Sequence, residues 1–333
     1  MALPELKGWL PVDAVVLDGR PGLAWLNFAG VELAEPFFQQ TVDRLQAEYP
    51  ERREVFTEFD ALVQLETTFD SVAPTGFIFH SSRCGSTLLA NACRATDGAI
   101  VLSEPLAVDK LIARFITDTD EHGTKEKLYS LFLRGAMKAL GQRRTGNERR
   151  LFVKFACCSV SQIERIQRIW PDVPCVFLYR DPVETIVSNL QNPPAWLQDE
   201  DRRVLASITK TTTEAVAAMS TAELCARALG SFYAIAKRVA NDRTLLLNYN
   251  QLSLAEITNA LNFFGVKIAA AEMETIARQS QTYSKSTSGA RAFVSDADAK
   301  QRAAGEFVRD AAERWARKPY QLLEQTRLEH QRS

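Results

Sequence analysis

Short, unbroken apolar runs alternate along the middle of the chain with stretches of helical periodicity. The runs are "GFIF" (76–79), "RLFVKFA" (150–156), "CVFLY" (175–179) and "TLLLNY" (244–249), with a weaker one, "AIVLS" (99–103). Runs of this length that do not alternate with polar residues suit strands covered on both faces. Between them, "STLLANACRA", "EPLAVDKLIARFI", "KEKLYSLFLRGAMKAL", "SQIERIQRIW" and "VETIVSNLQ" repeat their apolar positions every three or four residues. Strands alternating with helices predict an α/β fold, a parallel sheet flanked by helices on both faces. In such a sheet, ligands bind beyond the carboxyl ends of the strands. The polar stretches following two of these strands, His80–Thr87 and Arg180–Pro182, are therefore expected to face one crevice.

The flanks read differently. "AVVLDGRPGLAWLNF" predicts a hairpin turning at Asp18-Gly19. The next segment, "EPFFQQTVDRLQAEYP", places Phe38, Val42 and Leu45 on one helical face. Residues 1–72 are expected to form an N-terminal extension or small subdomain packed on an α/β domain over 73–333. Within that domain, 192–220 opens on Pro-Pro and reads as a lid or acceptor insertion. Residues 281–302 read as a loop, and 303–327 as a closing helix burying Phe307, Ala311, Trp315 and Leu322.

A formal net charge of −1 removes the global basic character expected of a nucleic-acid binder. The six cysteines form no CxxC pairs, so neither a zinc site nor a disulfide framework is expected. The opening residues lack the basic start and apolar run of a signal peptide, and no run reaches the length of a membrane span. A cytoplasmic protein without a membrane partner or a metal is the expectation.

The chemistry concentrates in "FIFHSSRCGSTLLANACRA" (77–95). A strand, a turn of small residues and a helix start together present backbone amides to an anion. The ATP-binding pattern fails here twice, because His80 replaces its first glycine and Ser86 its lysine. The cation comes instead from Arg83, two positions before Gly85. A second element, "CVFLYRDPVETIVSNLQ" (175–191), ends a buried strand in Arg180 and starts a helix at Pro182, with Ser188 eight residues after the arginine. An arginine fork and a hydroxyl suit a phosphate monoester.

Taken together, the two elements resemble the sulfotransferases that use 3′-phosphoadenosine 5′-phosphosulfate (PAPS). The family's "[RK]-[SC]-G-[ST]-T-L" loop is matched by Arg83-Cys84-Gly85-Ser86-Thr87-Leu88. Its "R-[DN]-P" element with a following serine is matched by Arg180-Asp181-Pro182 and Ser188. "LLLNYNQLS" (245–253) is similar to a later segment of the family core, so the likeness spans about 76–253. The resemblance implies a P-loop NTPase-like sheet with helical insertions. It also implies PAPS as donor, with adenosine 3′,5′-bisphosphate as product. Residues 83–88 would hold the 5′ side, with Arg83 also stabilising the transferred group, and Arg180 with Ser188 the 3′-phosphate.

A transferred sulfuryl group carries less charge than a γ-phosphoryl group, which fits the missing lysine. The acceptor's proton calls for a base. Glu104, in "LSEPL", resembles the glutamate of the carbohydrate-type and bacterial branches; His80 and His122 are weaker candidates. Lys154, inside an apolar run, is expected either to reach an anion or to snorkel. The closing "G-x-x-G-x-x-K" loop of the cytosolic branch is missing, and "YSKSTSGARAF" (283–293), with Lys285 and Arg291, stands in its place. A small-molecule or peptide acceptor is expected. A P-loop kinase and a non-catalytic binding relative remain open alternatives.

Overall fold

The computed structural model describes residues 6–52, 54–65, 70–118, 123–198, 201–280 and 296–331. His122, Lys285 and Arg291 lie outside the described residues. Five parallel strands form the central sheet: β4 (Pro74–His80), β5 (Ala99–Ser103), β6 (Arg150–Lys154), β7 (Cys175–Tyr179) and β8 (Thr244–Asn248). Their order is β5-β6-β4-β7-β8. The chain leaves β4 for one side of the sheet, building β5 and β6, and then crosses to build β7 and β8 on the other. The crevice beside β4 is thus the switch point where open α/β sheets hold their ligands.

Both faces are covered, as the unbroken apolar runs demand. On β4, Phe77 and Phe79 enter the larger core with Val153, Phe177 and the helix Thr221–Val239. Ile78, between them, joins the opposite core with Val176, Leu178 and Leu247, under the helices Ser86–Arg94 and Leu254–Phe263.

The N-terminal strands β1 (Trp9–Leu17), β2 (Arg20–Asn27) and β3 (Val55–Glu58) form a separate antiparallel sheet. β1 and β2 meet in the expected two-residue turn. Asp18 and Gly19 both have positive φ, at 50° and 74°, and Leu17 faces Arg20. The helix Phe38–Glu48 buries Phe38, Val42 and Leu45. Leu23 and Trp25 pack against Leu62, Leu111 and Phe132, joining this sheet to the α/β domain.

Two flank expectations need correction. Residues 297–302, expected as loop, belong to the helix Ala297–Ala303. The closing helical stretch begins at Glu306; of its expected inward face, Ala311 is buried and Trp315 packs against the core, but Phe307 and Leu322 do not turn inward. Val308, Ala312, Ala316 and Leu323 are buried, while Phe307 is 73% exposed and Leu322 40%. The reason is close approach: a Cβ on Gly230 would sit 2.2 Å from Trp315 O. Two backbones this near admit alanines between them and leave the phenylalanine outside. Between 192 and 220 lie three short helices, Ala195–Gln198, Arg203–Thr209 and Thr213–Ala218, with Leu205, Ala206 and Val216 packed on Leu224. No helix among the described residues is long and apolar enough to cross a membrane.

Candidate active site

Every strand of the central sheet ends, at its carboxyl end, in a residue with chemistry. β4 ends in His80, β5 runs into Glu104, β6 ends in Lys154, β7 runs into Arg180 and β8 into Tyr249. Because the sheet is parallel, all five fall along one edge.

The loop after β4 is built from strained backbone. Ser82, Arg83 and Gly85 have φ of 74°, 52° and 82°, and Glu104, across the edge, has 53°. A left-handed conformation costs a non-glycine residue of order 1–3 kcal/mol and persists only where the surroundings enforce it. Among the described residues, three of the five non-glycine positions with positive φ are in this site. Alternation of left-handed and ordinary backbone, as at Arg83, Cys84 and Gly85, turns successive amides toward one concavity, and the amides of Ser86 and Thr87 have no carbonyl inside the helix to receive them. Gly85 is required for a further reason: a Cβ there would meet Leu252 Cδ2 at 2.5 Å and Tyr249 at 3.2 Å. The segment after β8 thus forms one wall of the loop.

The motif residues divide by direction. Cys84 is fully buried and donates its thiol to Leu178 O at 3.2 Å. Burial pushes that thiol up to about 11, so it packs and does not react. Ser86, Thr87 and Leu88 are buried at the helix start. Arg83 donates to Asn192 O, while its Nε is buried without a hydrogen-bond partner among the described residues. Ser82 Oγ donates to Asn189 Oδ1 at 3.1 Å, so the first loop is tied to the helix Pro182–Gln191 that follows β7.

That second helix is capped by Asp181, which accepts from Val183 N–H at 2.9 Å, with Pro182 in its first turn. Arg180 is 2% exposed. Its Nε donates to Glu184 Oε2 and one terminal nitrogen to Asp296 Oδ1, both at 2.7 Å. The guanidinium also lies 4.1 Å from the centre of the Tyr249 ring. Glu184 and Ser188 are one and two turns beyond Arg180 on the same helix face, so Glu184 stands between the two residues expected to share an anion.

On the other side of β4, Glu104, Lys154 and His80 form a cluster. Lys154 is 1% exposed, and its ammonium donates to Glu104 Oε1. It does not snorkel: its buried ammonium pairs with a carboxylate whose side chain is 32% exposed. The Phe37 ring, contributed by the N-terminal extension, lies 4.8 Å from the Lys154 nitrogen. His80 Nδ1 accepts from Ser82 N–H at 3.1 Å, which places the neutral ring's proton on Nε2, 3.4 Å from Glu104 Oε1. Burial alone would raise the Glu104 carboxyl, but Lys154 and His80 outweigh it and hold the group well below the usual carboxylate range. Glu104 is thus ionised. Next to it, Asp109 accepts from Ala156 N–H and Ser159 Oγ, both at 3.1 Å. Burial, reinforced by the charge of Glu104, pushes Asp109 up to about 7.

At the first motif, the residues suit an anionic nucleotide: an arginine with an orphaned buried donor, helix-start amides and a glycine cradle. At the second, two of the chain's own carboxylates, Glu184 and Asp296, already pair with Arg180. Tyr249 lies in the segment likened to the family core but was not singled out there, and Asp296 and Lys300 were missed because nothing in their local sequence distinguishes them.

No family model matches the chain, and no curated protein matches it. Among solved structures it is similar to the sulfotransferase domain of the Synechococcus PCC 7002 olefin synthase. That match has 16% identity and a TM-score of 0.39, covering 78% of this chain and 96% of that one. The sulfotransferase domain from the curacin biosynthetic pathway matches at 12% identity and a TM-score of 0.40, covering 77% and 98%. A mouse sulfotransferase complexed with PAP matches at 15% identity and a TM-score of 0.34, covering 73% and 77%. The structures to which this chain is similar are thus sulfotransferases, bacterial ones among them.

Proposed function

We propose that the protein is a sulfotransferase that moves a sulfuryl group from PAPS to a hydroxyl or amine of a small-molecule or peptide acceptor. The observation that carries this reading is the meeting of the strained Ser81–Leu88 loop and the ionised Glu104 at one sheet edge, with Arg180 one strand away. PAPS, when bound, supplies the sulfuryl group. The amides and hydroxyls of Ser86 and Thr87 would hold the anion at the helix start, and Arg83 would offset its charge. Arg180 would hold a second phosphate.

Glu104 would take the proton from the acceptor. With Lys154 and His80 against it, the carboxylate is a weak base at rest, and any movement of the ammonium away from it raises its basicity. Phe37 borders this ion pair, so the N-terminal extension shapes the acceptor side.

The test combines titration and turnover. Adenosine 3′,5′-bisphosphate should bind calorimetrically with or without a chelator, whereas magnesium-dependent binding of ATP would favour a P-loop kinase instead. Incubation with PAPS and a metabolite extract, read by mass spectrometry, should show one or more species gaining sulfate. Glu104→Gln should keep bisphosphate binding and lose at least about a hundredfold in turnover. Near-normal turnover in that variant would remove Glu104 as the base.

A further inference from the structure

The carboxylate on Arg180 comes from an unexpected place. Asp296 spends one oxygen on Arg180, at 2.7 Å, and the other on Lys300 Nζ, at 2.6 Å. Both cations are buried, Arg180 at 2% exposure and Lys300 at 8%. A single carboxylate therefore bridges two desolvated cations, the arrangement in which a phosphate monoester would take them.

The other acids nearby are held more firmly. Glu184 is 5% exposed on its side chain, is anchored in the helix Pro182–Gln191, and also accepts from Gln301 Nε2. Asp181 caps that helix and pairs with Arg317 at 2.7 Å. Asp296 differs, with 47% of its side chain exposed and a position just before the helix Ala297–Ala303. Of the three it is the one that can swing into solvent without uncapping a helix or exposing a core.

We propose that Asp296 is an internal counter-anion, holding Arg180 and Lys300 together and competing with the nucleotide's 3′-phosphate for both. The physical need for it is plain. Without Asp296, Arg180 would keep only Glu184 as a carboxylate partner among the described residues, and the buried ammonium of Lys300 would lose its ion-pair carboxylate while still facing a second cation. A phosphate brings more charge and more acceptor oxygens to the same two donors, so it displaces the carboxylate. Its apparent affinity falls in proportion to the fraction of time the seat is free. Lys300 is then a second cationic partner of that phosphate. The inference rests on the nucleotide reading above and adds the residue that tunes the strength of the seat.

The experiment is calorimetric titration of the full chain with adenosine 3′,5′-bisphosphate and, as a ligand lacking the 3′-phosphate, adenosine 5′-monophosphate. Asp296→Asn should tighten the bisphosphate about fivefold or more and leave the monophosphate unchanged. In that background, Lys300→Met should weaken the bisphosphate about tenfold. The melting temperature of the unliganded Asp296→Asn protein should fall, separating the loss of an anchor from the gain in binding. Unchanged or weaker bisphosphate binding by Asp296→Asn, with the wild type still preferring the bisphosphate, overturns the competition alone. If neither wild type nor variant distinguishes the two ligands, the nucleotide reading falls with it.

Discussion

At the scale of single residues, this site is made of positions whose local cost is visible. Gly85 carries a positive φ and faces Leu252 across a gap that would leave a Cβ 2.5 Å from its methyl group. Gly85→Ala should therefore cost about 1–2 kcal/mol from the left-handed backbone, plus whatever Leu252 must move. Chemical denaturation checks the first part. Loss of bisphosphate binding, by calorimetry, checks whether the same backbone also cradles the ligand. Glu104 carries the same left-handed φ, enforced by its N–H donating to Lys154 O at 2.6 Å. Glu104 thus reaches its ion pair at the cost of backbone strain, and its substitution strands a buried ammonium. Thermal melting of Glu104→Gln should accompany its kinetics, because Lys154 loses its carboxylate and the melting temperature should fall.

At the scale of elements, the local rules worked where one segment decided the outcome. Asp18-Gly19 made the hairpin, Pro182 began a helix and the apolar runs became buried strands, because turn chemistry and periodicity need no distant partner. They failed where two helices meet. The spacing of Phe307, Ala311, Trp315 and Leu322 is as good a helical face as that of Val308, Ala312, Ala316 and Leu323, yet only Ala311 and Trp315 of the first set reach the core. The choice was made by Gly230 on the facing helix, which lets Trp315 O approach. Gly230→Ala should push these helices apart and cost about 1–3 kcal/mol in urea unfolding. An unchanged unfolding midpoint would mean that the helices separate freely and the close approach matters little.

At the scale of the whole molecule, three remote parts of the chain converge on one edge of the sheet. The extension before β3 supplies Phe37, the strand ends supply His80, Glu104, Lys154 and Arg180, and the C-terminal segment supplies Asp296, Lys300 and Arg317. So many charges in one desolvated region make the stability of the fold depend on pH. Asp109 is pushed up to about 7 from its ordinary 3.8 by burial and by Glu104, so the folded protein holds a proton that the unfolded chain releases. Its contribution therefore declines as pH rises from about 4 to about 7 and stays lost above. Glu104 acts in the opposite sense: its carboxyl is held down, and its contribution is lost as pH falls below its ordinary value. Asp109→Asn should remove the first decline, so the melting temperature of the variant relative to wild type should rise between about pH 4 and about pH 7 and then level off. A difference that is flat with pH would place the proton elsewhere.

The sequence by itself determined the parallel α/β class, the strand positions, the N-terminal hairpin and the two anion motifs, because each is written in contiguous residues through periodicity, turn preference or capping. The tertiary structure alone decided what those motifs touch. Arg83 and Arg180 look equivalent on paper, yet among the described residues Arg83 keeps an orphaned donor while Arg180 is enclosed by Glu184, Asp296 and Tyr249. Asp296 lies 116 residues from Arg180, and no local pattern marks it. Pairing between buried charges follows from which surfaces fold against one another, and that is a property of the assembled core.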